Sequence, residues 1–107
     1  MQDIEYIVYL TFDEAERIRV FARKEKKDIS EFVVQYESLL DQVWKPIIRY
    51  DTAHGFAHKD IIKADGTQIK QPLFFDNYNL AFTFAAIDIK SNWKKYRRNF
   101  IGDEKDD

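Results

Sequence analysis

Both histidines of the chain stand in one short string, Arg49-Tyr50-Asp51-Thr52-Ala53-His54-Gly55-Phe56-Ala57-His58-Lys59-Asp60. Imidazole titrates near neutrality, so His54 and His58 can act as general base and general acid, with Asp51 orienting one ring and Arg49 holding an anion. That set suits proton transfer at a phosphodiester. Gly55 lets the backbone bend between the rings. In an extended chain His54, Phe56, His58 and Asp60 would point to one face of a sheet. Cysteine is absent. The nearby hydroxyls, Thr52 and Tyr50, are weak nucleophiles, which favours proton transfer or attack by water over a covalent intermediate.

The same residues admit two other readings. Nitrogen from His54 and His58 with oxygen from Asp51 or Asp60 is a donor set that zinc or manganese accepts. Positions four apart on a strand lie roughly 13 Å from each other, however, so the spacing alone calls for no metal, and no cofactor motif is present. A structural reading has Asp51 and Thr52 accepting turn hydrogen bonds while the imidazoles cover a sheet surface.

The elements that must carry this string read as strands followed by one helix. Glu5 to Thr11 and Arg17 to Arg23 have strand-like β-branched and aromatic content, although Thr11 with Glu14 resembles a capping box that could open a helix over 12–23. Phe32, Val34 and Tyr36 alternate with polar residues. Trp44 to Tyr50 contains Pro46, which places it at an edge or a bulge. Phe56 to Lys63 and Thr67 to Gln71 flank Asp65-Gly66, a strong hairpin signal. A helix is predicted to begin near Asp76 or Asn77 and to end by Gly102. The fold class is therefore α+β, an antiparallel meander of about five to six strands packed against one long C-terminal helix, with a single domain over 1–102 and an acidic tail over 103–107.

On that helix Tyr78, Phe82, Ala85, Ile89, Trp93, Tyr96 and Phe100 recur at three and four residues and form a sheet-facing stripe. Leu80, Phe84 and Ile87 fall on the opposite side, an apolar patch that a curled sheet edge, a homodimer mate or a protein partner would cover. Lys90, Lys94, Arg97 and Arg98 lie off the stripe. They form either a solvated basic face or a surface for RNA or DNA phosphates.

Composition bounds these readings. The 107 residues are 45% hydrophobic, 34% charged and 16% aromatic, with a net charge of −2, a balance that builds a core. Lack of cysteine and of a basic leader or long apolar run points to a cytoplasmic protein with no membrane association.

The run from Phe32 to Tyr36, Trp44 to Asp60, Asp65-Gly66 and Asn92-Trp93-Lys94-Lys95-Tyr96 resembles a family of short uncharacterised prokaryotic proteins. More distantly it is similar to the TumE family, toxins of prokaryotic toxin-antitoxin modules. That resemblance implies a toxin-like chain acting on RNA or a nucleotide, with an antitoxin as partner and Arg49, Tyr50, Asp51, His54 and His58 as the matching positions. The alternative from the residues themselves is a non-catalytic interaction domain that uses Leu80, Phe84 and Ile87.

Overall fold

In the third strand Phe32, Val34 and Tyr36 are fully buried while Val33 and Gln35 between them are half-exposed. That period of two repeats across the sheet and gives it one core face and one open face. The computed structural model describes residues 1–105. It contains β1 (Gln2–Tyr9), β2 (Glu16–Glu25), β3 (Asp28–Leu40), β4 (Val43–Asp51), β5 (His58–Ile62), β6 (Gln68–Pro72) and α1 (Tyr78–Lys105). The six strands form one antiparallel sheet in sequence order, and α1 packs across β3 and β4.

The segment that could have been strand or helix is strand, β2. Asp13 decides it locally: its carboxylate accepts from Thr11 Oγ1 at 2.5 Å and from Ala15 N at 3.1 Å, and Glu14 turns left-handed with φ 58°. These bonds close a turn where a capping box would have started a helix. Pro46 sits at a bulge. Tyr36 pairs with Ile48 but Glu37 pairs with Pro46, leaving Ile47 as the extra residue, so an interior strand accommodates a residue without an amide proton.

Asn77 caps α1, its side-chain oxygen accepting from Leu80 N at 2.9 Å, as its residue type predicts. The other helix end differs from expectation. Gly102 has no left-handed φ and α1 continues to Lys105, so the acidic tail begins inside the helix by its backbone; residues 106 and 107 of that tail lie outside the described residues. All seven stripe residues are buried or half-buried. Phe32 meets Tyr78 and Phe82 edge-on at 6.2 and 5.7 Å, and Tyr36 meets Trp93 at 6.2 Å. The buried Ile89 and Phe100 each contribute about 1.5–3 kcal/mol through burial.

Two polar clusters fix the helix against the sheet. Glu16, buried, accepts from Tyr36 Oη at 2.5 Å and Ser38 Oγ at 3.0 Å, and Arg97 Nε lies 3.3 Å from it. Asp88 accepts from Tyr50 Oη at 2.5 Å, Tyr96 Oη at 2.6 Å and Asn92 Nδ2 at 2.9 Å, and Lys59 Nζ donates to Tyr96 Oη at 2.7 Å. Among the described residues no helix is long and apolar enough to cross a membrane.

Candidate functional site

Residues directly opposite in antiparallel strands share a face. The register places Ile7, Arg19, Gln35, Arg49, Asp60 and Lys70 in one row across all six strands, and Glu5, Phe21, Val33, Asp51, His58 and Pro72 in the next. Ile48 and Tyr50 alternate with these positions and face α1. The histidine string therefore builds its cluster on the side of the sheet away from the helix.

His58 lies on β5 opposite Asp51 of β4, and its Nε2 is 2.8 Å from Asp51 Oδ1. Asp60, two residues along on the same face, brings Oδ2 to 3.6 Å from that nitrogen. Lys70 of β6, opposite Asp60, brings Nζ to 3.2 Å from Nε2 and 3.6 Å from Asp60 Oδ1. The other ring nitrogen, Nδ1, faces the Phe56 carbonyl oxygen at 3.3 Å.

A cluster on an open face would be solvated, yet His58 is 1% exposed and Asp60 3%. The connection between β4 and β5 is the cause. After Asp51 the chain makes a short 3-10 turn, Ala53–Gly55, in which His54 (φ 70°) and Gly55 (φ 84°) are both left-handed. Asp51 Oδ1 accepts from Ala53 N at 3.0 Å, and Thr52 Oγ1 accepts from Phe32 N at 3.1 Å. The reversal drops the Phe56 ring 5.4 Å from the His58 ring and stacks the His54 ring 6.4 Å from it. The histidines do converge, through a turn. His54 is off the strand and exposed, and β5 starts at His58 instead of Phe56.

The remaining expected site residues divide. Arg49 is on the correct face but is held elsewhere: its Nε donates to Gln35 Oε1 at 2.7 Å, Gln35 donates to Glu37, and Glu37 pairs with Arg17 at 2.7 Å. It adjoins the histidine cluster without joining it. Tyr50 faces the helix, where its hydroxyl serves Asp88; burial and that carboxylate push the phenol well above its ordinary value, which removes it as a nucleophile. Lys90, Lys94 and Arg98 are exposed on α1, across the sheet from the histidines. Arg97 does not share that free basic face, because its guanidinium turns inward to Glu16 and Ser38. Leu80, Phe84 and Ile87 are exposed at 49%, 41% and 58%, so among the described residues no curled sheet edge covers them; Phe84, however, does not lie opposite the sheet as expected, because its ring meets Tyr50 of β4 edge-on at 6.1 Å. Lys70 is the member that sequence reasoning missed.

A family model described as a domain of unknown function, DUF7718, matches residues 1–106. The chain belongs to the DUF7718 family. No curated protein and no solved structure matches it. For this DUF7718 chain the arrangement itself indicates the chemistry available: a buried imidazole fixed by a carboxylate, a second carboxylate and an ammonium beside it, and an exposed imidazole over them.

Proposed function

We propose that the chain is a toxin-like component acting on RNA or a nucleotide through histidine acid-base chemistry. The observation that carries this reading is the convergence of His54 and His58 on one sheet face with Asp51 2.8 Å from the inner ring. In cleavage of RNA, a base removes the 2′ proton, the 2′ oxygen forms a bond to phosphorus, and the 5′ oxygen leaves with a proton from an acid. His54, exposed at the rim, takes the 2′ proton; the leaving 5′ oxygen takes its proton from a water at the rim, and His54 then returns its proton to the hydroxide so formed, while His58, buried and held by Asp51, forms the floor beneath it. Lys70, 45% exposed at the edge of the cluster, offers charge to the phosphate, the task first expected of Arg49.

The test is cleavage of oligoribonucleotides by the purified chain. The expected products carry cyclic phosphate and 5′-hydroxyl ends, and 2′-O-methyl substitution at the cut site abolishes them. His54→Ala should lower the rate by about 100-fold or more with an unchanged melting temperature. Full activity in that variant, or no cleavage of any RNA or nucleotide offered, refutes the reading. In cells the wild type should arrest growth and His54→Ala should not, with a cognate antitoxin relieving the arrest.

A second reading, an interaction domain, is favoured by the exposed Leu80, Phe84 and Ile87, which Phe75 extends by packing 5.2 Å from Phe84. A second copy or a protein partner would bury this patch. Ile87→Glu should leave the monomer folded, since that side chain is 58% exposed, and should abolish association in sedimentation. A wild-type chain that stays monomeric and binds its antitoxin as well as the variant does would overturn it.

A further inference from the structure

We propose that Asp51, His58 and Asp60 bind a divalent transition-metal cation, and that the Lys70 ammonium occupies the edge of this site as a displaceable stand-in. The proposal shares residues with the reaction above but rests on geometry alone, so either can fail without the other.

The first support is donor spacing. A metal bonded to nitrogen and carboxylate oxygen at about 2.0–2.2 Å places neighbouring donor atoms roughly 3 to 3.5 Å apart. The His58 nitrogen is 2.8 Å from Asp51 Oδ1 and 3.6 Å from Asp60 Oδ2, and the ligand atoms of all three residues lie within 4.8 Å of one another. A mixed nitrogen and oxygen set of this kind suits zinc or manganese.

The second support is an unsatisfied atom. Asp60 Oδ1 is buried with no hydrogen-bond partner, and a buried carboxylate oxygen left unpaired is costly. Lys70 Nζ, at 3.6 Å, is too far to donate to it. A cation held among the three residues would satisfy that carboxylate directly.

The third is the His58 ring itself. With Nδ1–H donating to the Phe56 carbonyl, Nε2 presents a lone pair, and that lone pair then faces Asp51 at 2.8 Å. With Nε2–H donating to Asp51, the same proton faces the Lys70 ammonium at 3.2 Å. A neutral ring satisfies one neighbour and opposes another in either tautomer. A metal at Nε2 resolves the conflict, and a backbone carbonyl on the other nitrogen is the usual way a metal-bound imidazole is held. Lys70 can withdraw at little cost, because its side chain is 45% exposed on an edge strand. With the cation bound, His58 is a ligand and proton transfer falls to His54.

Calorimetric titration of the chelator-treated full chain with zinc or manganese alone tests this without any substrate. One site per chain is expected. Outer partners of metal ligands are worth about 10–100-fold in affinity, so loss of a ligand in Asp60→Asn or Asp51→Asn should weaken binding by at least about 100-fold, with circular dichroism confirming the fold. Lys70→Ala should tighten it by removing the competing charge. Uptake of neither cation by the wild type, binding that survives both Asn substitutions, or binding that weakens in Lys70→Ala overturns the proposal.

Discussion

Asp88→Ala should cost about 1–3 kcal/mol of folding stability, the amount lost when partly buried hydrogen-bonding groups are left without their partner. The variant leaves the Tyr50 and Tyr96 hydroxyls without their acceptor and Lys59 Nζ without the carboxylate 3.7 Å away. These groups tie β4 and β5 to α1, so the loss spans the whole helix-sheet interface. Urea unfolding measures it, and a cost under about 0.5 kcal/mol, typical of a surface substitution, would contradict this role. Acidity provides a second readout. Burial pushes the Asp88 carboxyl up, but hydrogen bonds from Tyr50 and Tyr96 and the charge of Lys59 outweigh it and hold the group below its ordinary value of 3.8. A carboxyl lowered in the folded state adds stability above its unfolded value, and that stability is lost as pH falls through the folded value. Wild type should therefore destabilise on acidification below about pH 4 more steeply than Asp88→Asn, which cannot titrate.

His58→Ala should cost about 3 kcal/mol, combining a cavity with the loss of the imidazole between two buried carboxylates. His54→Ala, four residues earlier and exposed, should change stability by no more than about 0.5 kcal/mol. Had both imidazoles covered a sheet surface, as the sequence allows, both substitutions would have small effects. The structure separates them: one is the floor of the site and the other its rim. Equal melting temperatures for the two variants would refute the burial of His58. Because His58→Ala disturbs the fold, His54→Ala is the cleaner probe of activity.

Legibility tracked how local the signal was. Alternation at Phe32, Val34 and Tyr36 marks β3 directly, and the 78–100 stripe marks α1. Asp51, His58 and Asp60 lie within one string, and strand parity puts His58 and Asp60 on a shared face; Asp51, an odd number of positions from His58, joins them only because the Ala53–Gly55 turn sets the β4–β5 register. Lys70 escaped because its position depends on one residue of turn length. A two-residue loop centred on Asp65-Gly66 would set Gln71 opposite Asp60. Only Gly66 of the pair is left-handed, at φ 89°, so the loop takes three residues, with Lys63 N donating to Thr67 O and Gly66 N to Lys63 O. That slip of one residue moves Lys70 onto the histidine face. Arg97 escaped for another reason: the helical period gives its direction but not the buried Glu16 that draws it inward. Asp88 gave no signal, since an acid on a helix is ordinarily solvated.

The strand order has a kinetic side. Every strand pairs only with its neighbours in the chain, so the sheet contains no distant crossovers, and folds dominated by nearby pairings assemble quickly. The residues from Arg49 to Lys70 lie within two successive hairpins, β4–β5 and β5–β6. Closing loops that short carries little entropic penalty. The strands that carry the site can thus pair without waiting for any segment distant in the chain.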